Sequence, residues 1–195
     1  MRYSITNSNE QKYVWFRTAK CGTRSILRFL KDNTDIDVNG YNVKYDNKWK
    51  DYFKFTIVRN PWDRLLSAWK DKVQQQWSDK YPEQYRHWRI LCFKKYKDKD
   101  FNFFVKDVNS TFDIHTMPLC RLIDVKNINF IGRFENLQED FDIICDKIGI
   151  PQQELPHKNK TKHKHYTEYY DEETKSIVAE KYAKDIEYFG YEFGN

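Results

Sequence analysis

The sequence predicts an α/β fold, a single domain with a central parallel sheet flanked by helices. Three observations carry that expectation. Short apolar runs of strand length alternate with segments of helical period. Two of those runs, residues 13–16 and 55–58, lead through a turn directly into a helix start, as parallel strand connections do. The 195 residues, 39% of them hydrophobic and 17% aromatic, are enough for one ordinary core.

Residues 1–11 are polar and read as a lead-in to the first strand, Tyr13-Val14-Trp15-Phe16. A turn of Thr18, Ala19, Lys20, Cys21 and Gly22 follows, and Ile26, Leu27, Phe29 and Leu30 then open a helix that runs to about Lys31. Residues 32–50 are rich in Asn and Asp, with a short strand expected at 41–45. After the strand at 55–58, Asn60 is a good N-cap and Pro61 a good first helical residue. That helix is expected to reach about Gln76, with Leu65, Leu66, Trp69 and Val73 as its core face. Residues 77–107 are mostly helical by pattern, broken at Tyr81-Pro82. A third strand is expected at 128–131 and a helix at 135–148, stopped by Gly149 and Pro151. One last helix is expected over 171–189, ending at Gly190.

The first strand–turn–helix aims backbone N–H groups and a helix N-terminus at one point, which favours an oxyanion. It is not a Walker loop: Lys20 precedes Gly22 and Thr23, and the leading glycine is missing. At the second, Arg59 ends the strand and Ser67 lies two turns beyond Asn60 on the same helical face. An arginine fork with a hydroxyl suits a terminal phosphate monoester.

Together the two stretches resemble the sulfotransferases that use 3′-phosphoadenosine 5′-phosphosulfate (PAPS). Lys20 followed by small and hydroxyl residues is similar to the family's 5′-phosphosulfate loop. Arg59-Asn60-Pro61, Arg64, Ser67 and Trp69 match its 3′-phosphate motif, R-[ND]-P-x-x-R-x-x-S-x-W. Residues 130–137, FIGRFENL, with Asp140 resemble a segment of the carbohydrate-acting branch. The resemblance implies a P-loop-kinase-like fold and transfer of a sulfuryl group from PAPS to an acceptor hydroxyl, on a glycan, without a metal. It implies cofactor contacts from Lys20, Cys21, Gly22, Thr23, Arg24, Ser25, Arg59, Ser67 and Arg133, with Lys20 neutralising charge on the bridging oxygen. Arg64 would brace the loop through an ion pair, and Arg133 or Phe134 would meet the adenosine.

A base for the acceptor hydroxyl is also needed. His115 is the candidate, because His115–Pro118 resembles an H-x-x-P segment of the same branch; a structural histidine, Asp46 and Glu135 are the alternatives. Asp51 is a further acidic residue between the motifs, and Glu135 more naturally fixes the strand–helix corner. Trp77 and Trp88 are either core or sugar-stacking residues. The basic stretch at 156–165 is either a solvated loop or a cover over an anionic ligand, and its histidines 157, 163 and 165 lack the pattern of a metal site.

Composition bounds the rest. A net charge of +5 fits an anionic cofactor or an acidic glycan. Cys21, Cys92, Cys120 and Cys145 form no CxxC pair and read as reduced thiols. With no apolar run near ~20 residues and no leader at Met1, a soluble cytoplasmic protein is expected, without membrane or nucleic-acid partners. Two other readings stand beside the sulfotransferase: a nucleotide-dependent kinase of related fold, and a non-catalytic module holding an adenosine phosphate.

Overall fold

The computed structural model describes residues 2–37, 43–75, 88–156 and 164–195. Seven strands lie among them: β1 (Arg2–Tyr3), β2 (Ile5–Ser8), β3 (Tyr13–Phe16), β4 (Ile36–Asp37), β5 (Val43–Lys44), β6 (Phe53–Val58) and β7 (Phe130–Arg133). Five of them form one sheet in the order β4-β2-β3-β6-β7. Its centre is parallel as expected, β3 beside β6 and β6 beside β7, with Trp15 opposite Phe55 and Val58 opposite Arg133. Near-continuous apolar runs suit strands covered on both faces, and β3 is buried along its whole length. β1 and β5 pair separately.

The lead-in expected at residues 1–11 is instead structured. β2 extends the sheet antiparallel to β3, and β4 adds to its far side. β2 reads Ile-Thr-Asn-Ser, and its polar residues are buried beside the sheet rather than exposed. Ser8 Oγ accepts the Gln11 N–H at 3.0 Å, and its one proton can go to Asp35 or to Gln11 Oε1, so the hydroxyl keeps partners after leaving water. Of the strand expected at 41–45, residues 43–45 are described: β5 covers Val43–Lys44, and Tyr45 lies beyond it.

The chain divides into two units, Met1–Arg59 with Leu119–Lys162, and Asn60–Pro118 with His163–Asn195. The first holds the sheet with helices α1 (Thr23–Asn33) and α4 (Leu137–Ile148), which meet edge-on through Phe29 and Phe141 at 5.1 Å between ring centroids. α4 ends at Gly149, whose φ of 73° is the left-handed cap glycine tolerates.

The second unit is helical: α2 (Pro61–Trp69), α3 (Phe101–Lys106), α5 (Glu172–Lys181) and α6 (Ala183–Phe189). Its core is largely aromatic, with Trp62, Trp69, Phe93, Tyr96, Phe101, Phe104, Tyr166 and Tyr182 in one cluster. α2 continues past Trp69 as a π-helical stretch, Lys70–Gln75, close to the length expected. The single helix expected over 171–189 is two, broken at Tyr182, which has φ −106° and ψ 21°. Trp77, the Tyr81-Pro82 break and residues 157–163 of the basic stretch lie outside the described residues, as does the side chain of Trp88. No helix among the described residues is long and apolar enough to cross a membrane. The four cysteines form no disulfide.

Candidate active site

In the first unit, the residues singled out by sequence gather where the parallel strands end at their carboxyl edge, the usual ligand side of such sheets. β3 leads into the loop, β6 into Arg59, and β7 into Arg133 and Phe134.

The loop is held at both ends. Thr18 Oγ1 donates to the Ile57 carbonyl on β6, and Thr23 Oγ1 donates back to the Thr18 carbonyl at 2.5 Å. Between them the backbone turns left-handed twice, at Lys20 (φ 71°) and at Gly22 (φ 75°). Such a conformation costs about 1–2 kcal/mol at a residue with a Cβ, so at Lys20 something must hold it. Arg59 supplies that hold: Nη1 donates to the Lys20 carbonyl at 2.9 Å. Its guanidinium also lies over the Phe134 ring, 4.0 Å from the centroid, and the side chain is buried. Gly22 takes its φ without strain, and a Cβ there would sit 2.7 Å from Leu137 Cδ2, so that side chain would have to shift.

α1 begins at Gly22 with no side-chain cap and no acidic residue in its first turn. Its terminus therefore keeps the partial positive charge that an anion needs. Ser25 N–H is turned onto the Gly22 carbonyl at 3.0 Å, and the Thr23 hydroxyl braces the loop. The main chain at Thr23 and Arg24 and the Ser25 hydroxyl lie at this terminus, where an anion would sit. The Cys21 side chain is fully buried, with its thiol donating to the Ala19 carbonyl at 3.5 Å. Arg24 is exposed and Lys20 half-buried.

β7 delivers its corner through Asp140, whose Oδ2 accepts the Arg133 N–H at 2.5 Å. Gly132 packs against the same residue, where a Cβ would come within 3.1 Å of Asp140 Cβ. Asp140 thus braces the corner at which Glu135, an exposed residue, was also expected to act. Asp46, an alternative base, caps the short helix Asn47–Trp49 by accepting the Lys48 N–H at 3.0 Å.

Ser67 and His115 belong to the second unit. Ser67 is half-buried on α2, and Arg64, three residues earlier, is 1% exposed. Arg64 was expected to act through an ion pair; the hydrogen bonds it makes run to two carbonyls of the loop that carries His115, Nη1 to Met117 at 2.9 Å and Nη2 to Ile114 at 3.0 Å. Those two residues bracket His115. The ring of His115 is half-buried, its Nδ1 meets Asp113 Oδ1, and Phe93 packs edge-on 6.4 Å away. Asp113 was not foreseen, although its place two residues before His115 is the spacing of a side-chain-to-backbone turn.

Comparison with known proteins identifies the family. A model described as the sulfotransferase family matches residues 1–192. The chain belongs to that family. It is 29% identical over 180 residues to the human protein named carbohydrate sulfotransferase 9, covering 82% of this chain and 37% of the relative. With zebrafish carbohydrate sulfotransferase 14 it shares 28% identity over 199 residues, 90% of this chain and 52% of the relative. With Xenopus laevis carbohydrate sulfotransferase 10 it shares 28% over 171 residues, 72% and 47%. The chain thus spans about half or less of the length of these curated relatives. No solved structure matches it.

Proposed function

We propose that residues 1–195 form one sulfotransferase domain that moves a sulfuryl group from PAPS to a hydroxyl of a carbohydrate. The observation that carries this reading is the bond from Arg59 to the carbonyl of the left-handed Lys20. It joins the loop suited to the 5′-phosphosulfate to the residue suited to the 3′-phosphate. Support for the acceptor class comes from the relatives' names.

The residues present fit the donor. Anion-binding backbone at Lys20 to Arg24 and an α1 terminus free of acidic residues would take the 5′ end, and Arg59 with Ser67 the 3′-phosphate. In the reaction, the acceptor oxygen bonds to sulfur while the bond from sulfur to the bridging oxygen breaks. Adenosine 3′,5′-bisphosphate leaves, and the hydroxyl proton passes to His115. Lys20 stabilises the charge that grows on the bridging oxygen. Positioning and charge stabilisation supply the acceleration, as in phosphoryl transfer.

Calorimetric titration with adenosine 3′,5′-bisphosphate, beside AMP and ATP–Mg²⁺, tests the donor site. The bisphosphate should bind tightly, AMP should not, and Arg59→Ala should abolish the difference. A preference for ATP–Mg²⁺ would instead return the site to the kinases.

A further inference from the structure

The turn that carries His115 is braced from several sides. Asp113 O accepts the N–H groups of Thr116 at 3.0 Å and Met117 at 2.8 Å. The Ile114 and Met117 carbonyls take the two ends of the buried Arg64 guanidinium. The Thr116 carbonyl takes the hydroxyl of the fully buried Tyr182 at 2.7 Å. Asp113 Oδ1 accepts the backbone N–H of His115 at 2.9 Å and also meets the ring of that residue at Nδ1. One carboxylate oxygen therefore fixes both the main chain and the imidazole.

We infer that Asp113 is a positioning residue that sets the tautomer of His115, holding the proton on Nδ1 so that Nε2 is the proton acceptor. This rests on His115 being the base of the proposed transfer. Which nitrogen a histidine leaves bare is decided by the bond its other nitrogen makes. A carboxylate at Nδ1 makes Nε2 the acceptor and stabilises the imidazolium once Nε2 is protonated. The carboxylate itself stays ionised. Burial pushes Asp113 upward, but the hydrogen bonds and charge of His115 and the charge of Lys72 outweigh it, leaving its pKa below the ordinary value.

Among the described residues, the other charged and titratable groups around the turn include Lys72, Arg64, Cys92, Tyr182 and the buried Asp185, whose charge acts on Tyr182. Lys72, on the π-helical stretch, is buried and ion-paired with Asp71 at 3.1 Å. The Cys92 thiol, on the helical segment Trp88–Tyr96, is pushed up by burial and then by the Asp113 charge, so it is neutral. Burial likewise holds Tyr182 neutral. Lys72 and Arg64 oppose a positive ring, and Asp113 favours one.

The test is ¹⁵N NMR of the histidine rings in the full chain, with His115 assigned by its loss in His115→Gln. The expected result is an Nδ1–H tautomer in the unsubstituted protein and a titration midpoint moved to lower pH in Asp113→Asn. Asn keeps an oxygen for the His115 backbone N–H, so this variant separates charge from folding of the turn, which Asp113→Ala does not. An Nε2–H tautomer, or an unmoved midpoint in Asp113→Asn, overturns the proposal. In sulfate transfer from PAPS to a desulfated glycosaminoglycan mixture, Asp113→Asn should lower kcat by about 10- to 100-fold with KM little changed. Full transfer by His115→Gln would remove the base reading alone, since the tautomer is measured without turnover.

Discussion

At the scale of the residue, Lys20 shows a conflict between conformation and chemistry. A left-handed lysine is costly, and glycine would adopt φ 71° without strain. The position keeps its amine nevertheless, held by the Arg59 bond to its carbonyl. Lys20→Gly should therefore leave stability unchanged or raise it by about 1 kcal/mol, while sulfate transfer is lost. Urea denaturation beside an activity assay measures both, and a variant that is active or clearly less stable contradicts the assignment. The motif order made Lys20, Gly22 and Arg59 legible in the sequence. Neither the Arg59–Lys20 bond nor the Phe134 ring beneath Arg59 was, because each joins residues at least 39 positions apart.

Elements were legible where local chemistry decides them. Asn60-Pro61 reads as a helix start, and Asn60 Oδ1 does accept the Trp62 N–H at 3.1 Å. The same amide also donates to the carbonyls of Glu192 at 2.8 Å and Asn195 at 3.1 Å, tying α2 to the C-terminal segment. Asn60→Ala removes a cap and two further part-buried hydrogen bonds, those to Glu192 and Asn195. It should cost roughly 2–4 kcal/mol, read as a lower urea midpoint; a loss below ~0.5 kcal/mol would mean that water replaces the amide. Elements were illegible where tertiary contacts override local preference. β2 lacks apolar alternation because Thr6, Asn7 and Ser8 are buried polar residues. The helix break at Tyr182 has no Gly or Pro to announce it; the side chain is instead buried, with its hydroxyl on the Thr116 carbonyl. β7 begins two residues later than its apolar run because Asn129 binds the edge of β6, accepting the Lys54 N–H at 2.8 Å.

On the scale of the whole chain, the expected donor residues come from points far apart in sequence, yet all but Ser67 fall within the sheet-bearing unit. Strand order makes that so: β3, β6 and β7 are neighbours, and each ends in one part of the site. Adenosine 3′,5′-bisphosphate should therefore slow amide hydrogen exchange at residues 18–25, at 59–60 and at 133–134, three separated patches at once. Bound ligand also stabilises the folded state, by about 2.7 kcal/mol at a hundredfold excess over Kd. With a net charge of +5 and an anionic ligand, that gain should shrink as salt is raised. Exchange followed by mass spectrometry with and without bisphosphate reads the map directly. Protection in all three patches, lost together in Arg59→Ala, is the outcome that one shared site requires. Protection confined to residues 164–195 would put the anion site at the C-terminal segment and remove the strand ends from the mechanism.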